Sequence, residues 1–264
     1  MPARLFVIHG SHPCATVEAA LDLKGVPFRR VEIPAATQPL VMRPLFGGRT
    51  VPGIRFEDGE KVQGSRAILR ALERRVPSPP LYDGPAGAAA IEEAERWGEE
   101  VLQPVPRQLL WTAFKAHPRA MHAFQDGQRS PKLPMPVVLA AAKVVLPVER
   151  RLNAVSDAGV LTAIAEMPGL LDQVDAWMVA GVLGGAQPNA ADLQIAPTLR
   201  LLWAIRDLRP LMAGRPSEAL ITRWLAPLTA EVPEGALPMD QAAARAAGGA
   251  SPAAGVPGHP TPTG

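Results

Sequence analysis

Over residues 1–76, short apolar runs of strand length alternate with stretches whose apolar positions recur at helical spacing. Leu5 to Ile8 is a short apolar run rich in strand formers, and Ser11-His12-Pro13 follows it as a helix opening with proline in the first turn. Val17, Ala20, Leu21 and Leu23 share one face of the predicted helix, and Gly25 supplies the left-handed residue that ends it. Phe28, Val31 and Ile33 predict a second strand. Between Thr37 and Leu45, Pro39 and Pro44 restrict any helix to a short irregular piece. Gly53 to Phe56 and Lys61 to Gln63 flank a turn containing Asp58-Gly59, the pattern of a hairpin. Ser65 then caps a helix carrying Ile68, Leu69 and Leu72, which stops before Pro77.

The pattern changes after residues 77–86, a proline- and turn-rich stretch that reads as a linker. Over 87–232 only helical periodicity remains, through Ala88 to Lys115, Pro136 to Val155, Gly169 to Val179, Ala190 to Ile205 and Pro216 to Leu225. The expected architecture is therefore an α/β domain of order β-α-β-α-β-β-α, thioredoxin-like, followed by an all-α helical bundle. From 240 to 264 small and turn-forming residues dominate, and Val256 is the one large apolar residue. Such a tail cannot offset its ordering entropy and is expected to be disordered.

Composition narrows the function. Apolar residues make up 47% and charged residues 20%, the balance of a globular protein rather than a disordered one. The net charge is only +2 and no basic stripe forms, so nucleic acid is not expected as a partner. Arg66, Arg70, Arg74 and Arg75 read as a solvated helix face. One cysteine, Cys14, leaves no intrachain disulfide and no cysteine-built zinc site, which suits a reducing, cytoplasmic setting. The N-terminus lacks the pattern of a secretory signal, and the apolar stretch Leu133 to Val148 is broken by prolines and a lysine, so no membrane span is expected. His9, His12, His117, His122 and His259 show no metal-ligand spacing, and no metal is expected.

Four local sequences, in order, resemble those of glutathione S-transferases. Ser11-His12-Pro13-Cys14 stands at the first strand-helix junction, ahead of Lys24-Gly25-Val26-Pro27-Phe28; Val51-Pro52 precedes the third strand; Gln63-Gly64-Ser65-Arg66-Ala67-Ile68 leads into the third helix; and Asn189-Ala190-Ala191-Asp192 forms a capping-box sequence in the second domain. The resemblance spans about residues 3 to 228. Material at roughly 117 to 158 is longer than the family implies.

The resemblance implies glutathione as co-substrate, a hydrophobic electrophile as second substrate, and a homodimer. It puts Ser11 at the position of the catalytic Ser or Cys, where its hydroxyl would donate to a thiolate at a helix N-terminus; the alternative is a serine that merely starts the helix. Cys14 stands at the second position of a C-x-x-C pattern whose first position is Ser11, which leaves it a mixed-disulfide partner for glutathione or a buried filler. Pro13, Val51, Pro52, Gly64 and Ser65 map onto the glutathione-binding positions. Val51 would pair with the thiol peptide's backbone across a cis peptide to Pro52, with an ordinary trans turn as the alternative. Ser65 would receive a carboxylate at its helix N-terminus or serve only as a cap. Gly64 replaces the acid or amide expected to hold the γ-glutamyl amino group, and the adjacent Gln63 would face the other way. Trp97, Gln108, Trp111 and Phe114 are candidates to line an electrophile pocket, or else core. Three functions remain open on this reading: a transferase, a non-catalytic binding protein of the same fold, and a glutathione-linked oxidoreductase using Cys14.

Overall fold

A computed structural model describes residues 2–249. Strand β1 (Ala3–Val7) leads through helix α1 (His12–Leu23) to β2 (Phe28–Glu32), then α2 (Gln38–Phe46), β3 (Gly53–Arg55), β4 (Lys61–Gln63) and α3 (Ser65–Arg75). The sheet order is β2-β1-β3-β4. β1 runs parallel to β2, with Leu5 opposite Arg30, and antiparallel to β3, with Leu5 opposite Ile54; β3 and β4 close as an antiparallel pair. Alternation along β1 buries Ala3, Leu5 and Val7 in a core shared with Val17 and Leu21 of α1 and Ile68, Leu69 and Leu72 of α3. Phe6 points the other way and meets Phe46 of α2 edge-on at 5.4 Å between ring centres.

The end of α1 follows the sequence reading closely. Gly25 adopts φ +62°, its N–H donates to the Asp22 carbonyl, and the Val26 N–H donates to that of Leu21. Two other readings need correction. The segment at Thr37 to Leu45 is a full helix, because Pro39 occupies its first turn and Pro44 falls near its end, where few backbone bonds are lost. The cap of α3 is Gly64 at φ +94°, and Ser65 is already the first helical residue, with no side-chain capping bond.

The remaining chain is helical: α4 (Ala88–Trp97), a π turn at Gly98–Leu102, α5 (Pro104–Ala116), α6 (Ala120–Ala123), α7 (Met135–Leu152), α8 (Asp157–Val179), α9 (Ala190–Trp203), α10 (Arg209–Met212), α11 (Leu220–Arg223) and α12 (Met239–Gly249). α9 is buried along most of its length and packs against α1, α4, α11 and the π turn. α8 begins at Asp157, well before the predicted Gly169, and is capped by Ser156. Pro168 interrupts the sequence pattern yet sits inside the helix, because Val160, Ile164, Met167, Leu171 and Val174 keep one face buried throughout. The pattern at Pro216 to Leu225 resolves into a short 3₁₀ turn and α11.

The linker is docked. Buried Lys24 donates through Nζ to Glu73 Oε2 (2.7 Å), the Val76 carbonyl (2.5 Å) and the Pro79 carbonyl (2.8 Å), so all three ammonium protons are matched. Fully buried Leu81 accepts from the N–H of Ala190 at the start of α9. The predicted disorder from residue 240 is also corrected in part. α12 carries the chain to Gly249, with Ala242 buried against the core and α12 packed on α8. Alanine is the best helix former, and Ala242 together with half-buried Met239 packs this helix against the core. The rest of that segment, 250–264, lies outside the described residues. Among the described residues no single helix is long and apolar enough to cross a membrane; α7 and α8 reach that length and composition only as a pair bent by 70°.

Candidate functional site

The β1–α1 turn, the segment around Ala35 and Gln38, and Thr50-Val51 form one side of a cavity of about 190 Å³; α5, Phe124 and α7 form the other. Ser11, Pro13, Val51, Trp111 and Phe114 all line it. Ser11 is the N-cap residue of α1 but makes no side-chain capping bond; its carbonyl takes the first helical N–H groups. The Val51–Pro52 peptide is cis, and the Pro52 carbonyl accepts from Gly64 N–H at 2.9 Å, which holds the β3–α3 side of the turn.

Other expected residues lie elsewhere. Ser65 is 2% exposed, outside the cavity lining, and its Oγ accepts from Gln103 Nε2 at 3.4 Å. Gly64 offers no side chain, and Gln63 does not replace it: its Oε1 accepts from Gly48 N–H and its Nε2 donates to the Thr50 carbonyl. Trp97 packs edge-on against Trp177 at 5.1 Å, and Gln108 donates to the carbonyls of Asn153 and Ala154 while accepting from Ser156 N–H, and neither lines the cavity. Cys14 is 1% exposed and is not part of the cavity wall. Burial pushes its thiol up to about 12, and hydrogen bonds with the Ser11 side chain and the Ile8 backbone offset only part of that rise. Burial thus disfavours the thiolate, the reactive form, at neutral pH.

The sequence reading assigned no role to several polar residues in and behind the wall. His12 is held at about 3 by burial and by the nearby Arg107 charge, so it is neutral. Its Nε2 then donates to the Gln103 carbonyl at 3.1 Å. Arg107 Nη2 donates to Gln103 Oε1 at 2.6 Å, so Gln103 ties together α1, α3 and Arg107. Opposite, Glu149 of α7 accepts from Ala36 N–H (2.5 Å), Gln38 Nε2 (3.2 Å) and Asn153 Nδ2 (3.0 Å). Because a carboxylate can only accept here, Gln38 must offer its amide nitrogen, and its Oε1 is left buried without a partner. No local signal marks these residues: each lies on a helix or helix end whose phase toward the cavity is set by tertiary packing. The π turn ahead of α5 shifts that phase, and Gly98 permits it by letting Ile195 and Gln194 of α9 approach the backbone.

Residues 5–80 match the family model of the glutathione S-transferase N-terminal domain. The chain has the glutathione S-transferase fold and that family's N-terminal domain. Among solved structures, the theta-class glutathione S-transferase of Xanthomonas axonopodis pv. citri, solved with glutathione bound, gives a TM-score of 0.54 at 17% identity, over 85% of this chain and 91% of that one. A glutathione S-transferase from Pseudomonas fluorescens gives 0.52 at 15% identity, over 85% and 93%. Glutathione transferase F7 of Populus trichocarpa gives 0.50 at 13% identity, over 84% and 87%. At such identities the likeness is one of fold. No curated protein matches the sequence. Among the described residues no cluster of three His, Cys, Asp or Glu side chains is placed to hold a metal.

Proposed function

We propose that this protein conjugates glutathione, or a related low-molecular-weight thiol, to an electrophile with an apolar body. The observation that carries the reading is the shared cavity: Ser11 at the start of α1 and Val51 stand across from an apolar wall of Pro106, Leu110, Trp111, Phe114 and Phe124. Val51 would pair with the backbone of the thiol's cysteinyl unit, and Ser11 would donate to its sulfur beside the positive end of α1. The thiolate sulfur attacks the electrophilic carbon, a C–S bond forms, the leaving group departs with its electron pair, and the thiol proton passes to solvent. The fit to glutathione is best at the cysteinyl end. At the γ-glutamyl end Gly64 brings no acid or amide and Ser65 is enclosed, which favours a thiol with less demand there.

Conjugation of 1-chloro-2,4-dinitrobenzene by wild type and Ser11→Ala tests the reading. Loss of the hydroxyl donor is expected to lower kcat by about 10²-fold. Absence of thiol-dependent turnover in both proteins overturns it.

A second reading, a binding protein of the same fold without turnover, draws on the same gap at Gly64. Calorimetric titration with glutathione separates the two: submillimolar binding without conjugation selects the binding protein. Oxidoreduction through Cys14 has the least support, given its burial and raised pKa. A cytoplasmic homodimer completes the proposal, and sedimentation velocity measures its oligomeric part.

A further inference from the structure

Arg107 is the one strongly basic side chain in a cavity wall that is otherwise largely apolar on the α5 side. Most arginines with a hydrogen-bonded or paired guanidinium here meet carboxylates: Arg66 and Arg70 face Glu95, Arg75 faces Asp58 and Glu60, and Arg215 faces Asp172 and Asp175. Arg107 does not. Among the described residues no carboxylate comes within 4.0 Å of it, and its one side-chain hydrogen bond goes to the neutral amide of Gln103. A guanidinium has five N–H donors, so this bond leaves an unused fork, the geometry that takes a carboxylate in two parallel bonds. Burial pulls its pKa down from the ordinary value, with the more distant Glu99 charge opposing, as for a cation short of counter-charge.

A second polar side chain lies on the other side of the cavity. Gln38 is 8% exposed; its amide orientation is fixed by Glu149, and its Oε1 is buried without a hydrogen-bond partner. The charge on the α5 side states the sign of a ligand that the cavity would take.

We propose that Arg107 anchors a carboxylate on the second substrate, so that the electrophile this protein takes is an aromatic acid rather than a neutral apolar molecule. The inference rests on the transferase reading for its chemistry but not for the binding itself. The aromatic body lies against Leu110, Trp111 and Phe114, its carboxylate meets the guanidinium, and its reactive carbon faces Ser11.

Two aryl chlorides that differ in one group provide the test. With 4-chloro-3-nitrobenzoate and its uncharged analogue 4-chloro-3-nitrobenzamide, the thiol sulfur displaces chloride and the thiol proton goes to water in both. Each rate is referred to the uncatalysed reaction. Arg107→Leu is expected to lower kcat/KM for the acid by about 30-fold, as for loss of a charged hydrogen bond, and for the amide by less than about threefold. Arg107→Lys, which keeps the charge but not the fork, is expected to fall between them. Equal losses for acid and amide, no loss for either, or a rise in KM for glutathione in place of the acid-specific loss would each overturn the proposal. A separate binding measurement uses unreactive 3-nitrobenzoate, with quenching of tryptophan fluorescence as the signal. Arg107-dependent binding without conjugation of either chloride leaves this assignment standing while the transferase reading falls. Conjugation of the amide, with 3-nitrobenzoate binding indifferent to Arg107, does the reverse. Thermal melts of both variants establish that they are folded.

Discussion

Two residues at the start of α1, adjacent but for Pro13, illustrate how burial decides chemistry. Cys14 is enclosed and its thiol stays protonated up to about pH 12, so it is expected to resist a disulfide reagent at pH 8 in the native protein and to react fully in urea. Counting released chromophore before and after denaturation measures this. Modification of the native protein within minutes would return Cys14 to the list of nucleophiles. His12 carries the opposite sign of consequence for stability. Its folded pKa of about 3 lies below the ordinary 6.5, so between these values the unfolded chain binds a proton that the folded chain refuses. Stability is full above pH 6.5 and falls as pH drops through the window, by at most about 1.4 kcal/mol per unit from this group. His12→Gln can keep a donor to the Gln103 carbonyl but does not titrate. Urea midpoints from pH 6.5 to 5 are expected to fall more steeply in wild type than in this variant. Other buried groups titrate in both proteins and cancel in the difference; parallel slopes would refute the assignment.

Elements were legible where a local rule and a buried face agreed. Gly25 closing α1 and the Asp58-Gly59 hairpin belong to this group. So does Asn189-Ala190-Ala191-Asp192: Asn189 Oδ1 accepts from Asp192 N–H at 3.0 Å, and Asp192 Oδ2 accepts from Asn189 N–H at 3.1 Å. Asp192 also takes the Gly184 N–H at 2.8 Å, and so joins the preceding loop to α9. Asp192→Ala leaves two partly or fully buried N–H groups without their partner and is expected to cost about 2–4 kcal/mol, more than the roughly 1 kcal/mol of an ordinary cap loss. Denaturant unfolding measures it, and a loss near 1 kcal/mol would show that water replaces the carboxylate. Where proline or alanine content spoke against packing, the local rule misled. The helical pattern was read only from Gly169 and the small residues of α12 suggested disorder, yet burial of Met167, Leu171 and Ala242 against other elements governs both. Sequence patterns register a residue's own preference, and these helices exist because of what lies beside them.

At the scale of the whole molecule, the motif residues Ser11 and Val51 and the aromatic residues Trp111 and Phe114 were readable as candidates, and the polar residues that join the two domains around the cavity were not. Ser11 and Val51 sit in motifs that a turn or a helix start requires locally. Arg107, Gln38 and Glu149 become neighbours of those motifs only when α5 and α7 close over the sheet, and nothing in their own sequence windows announces it. Glu149 is the strongest link in that closure. It comes from α7, within the stretch longer than the resemblance implied, and reaches across to the segment before α2, where Ala36 adopts φ +68°. Without its carboxylate, the Ala36 N–H and the Gln38 amide would be left without acceptors beside the cavity. Glu149→Ala is therefore expected to loosen residues 35–38 first: hydrogen exchange there should accelerate at least tenfold while β1 stays protected. Because the segment lines the same side of the cavity as Val51, KM for the thiol should rise more than kcat falls. Exchange that rises equally in β1 and in residues 35–38 would mean that α7 stabilises the fold as a whole, and that the cavity wall owes its shape to the sheet alone.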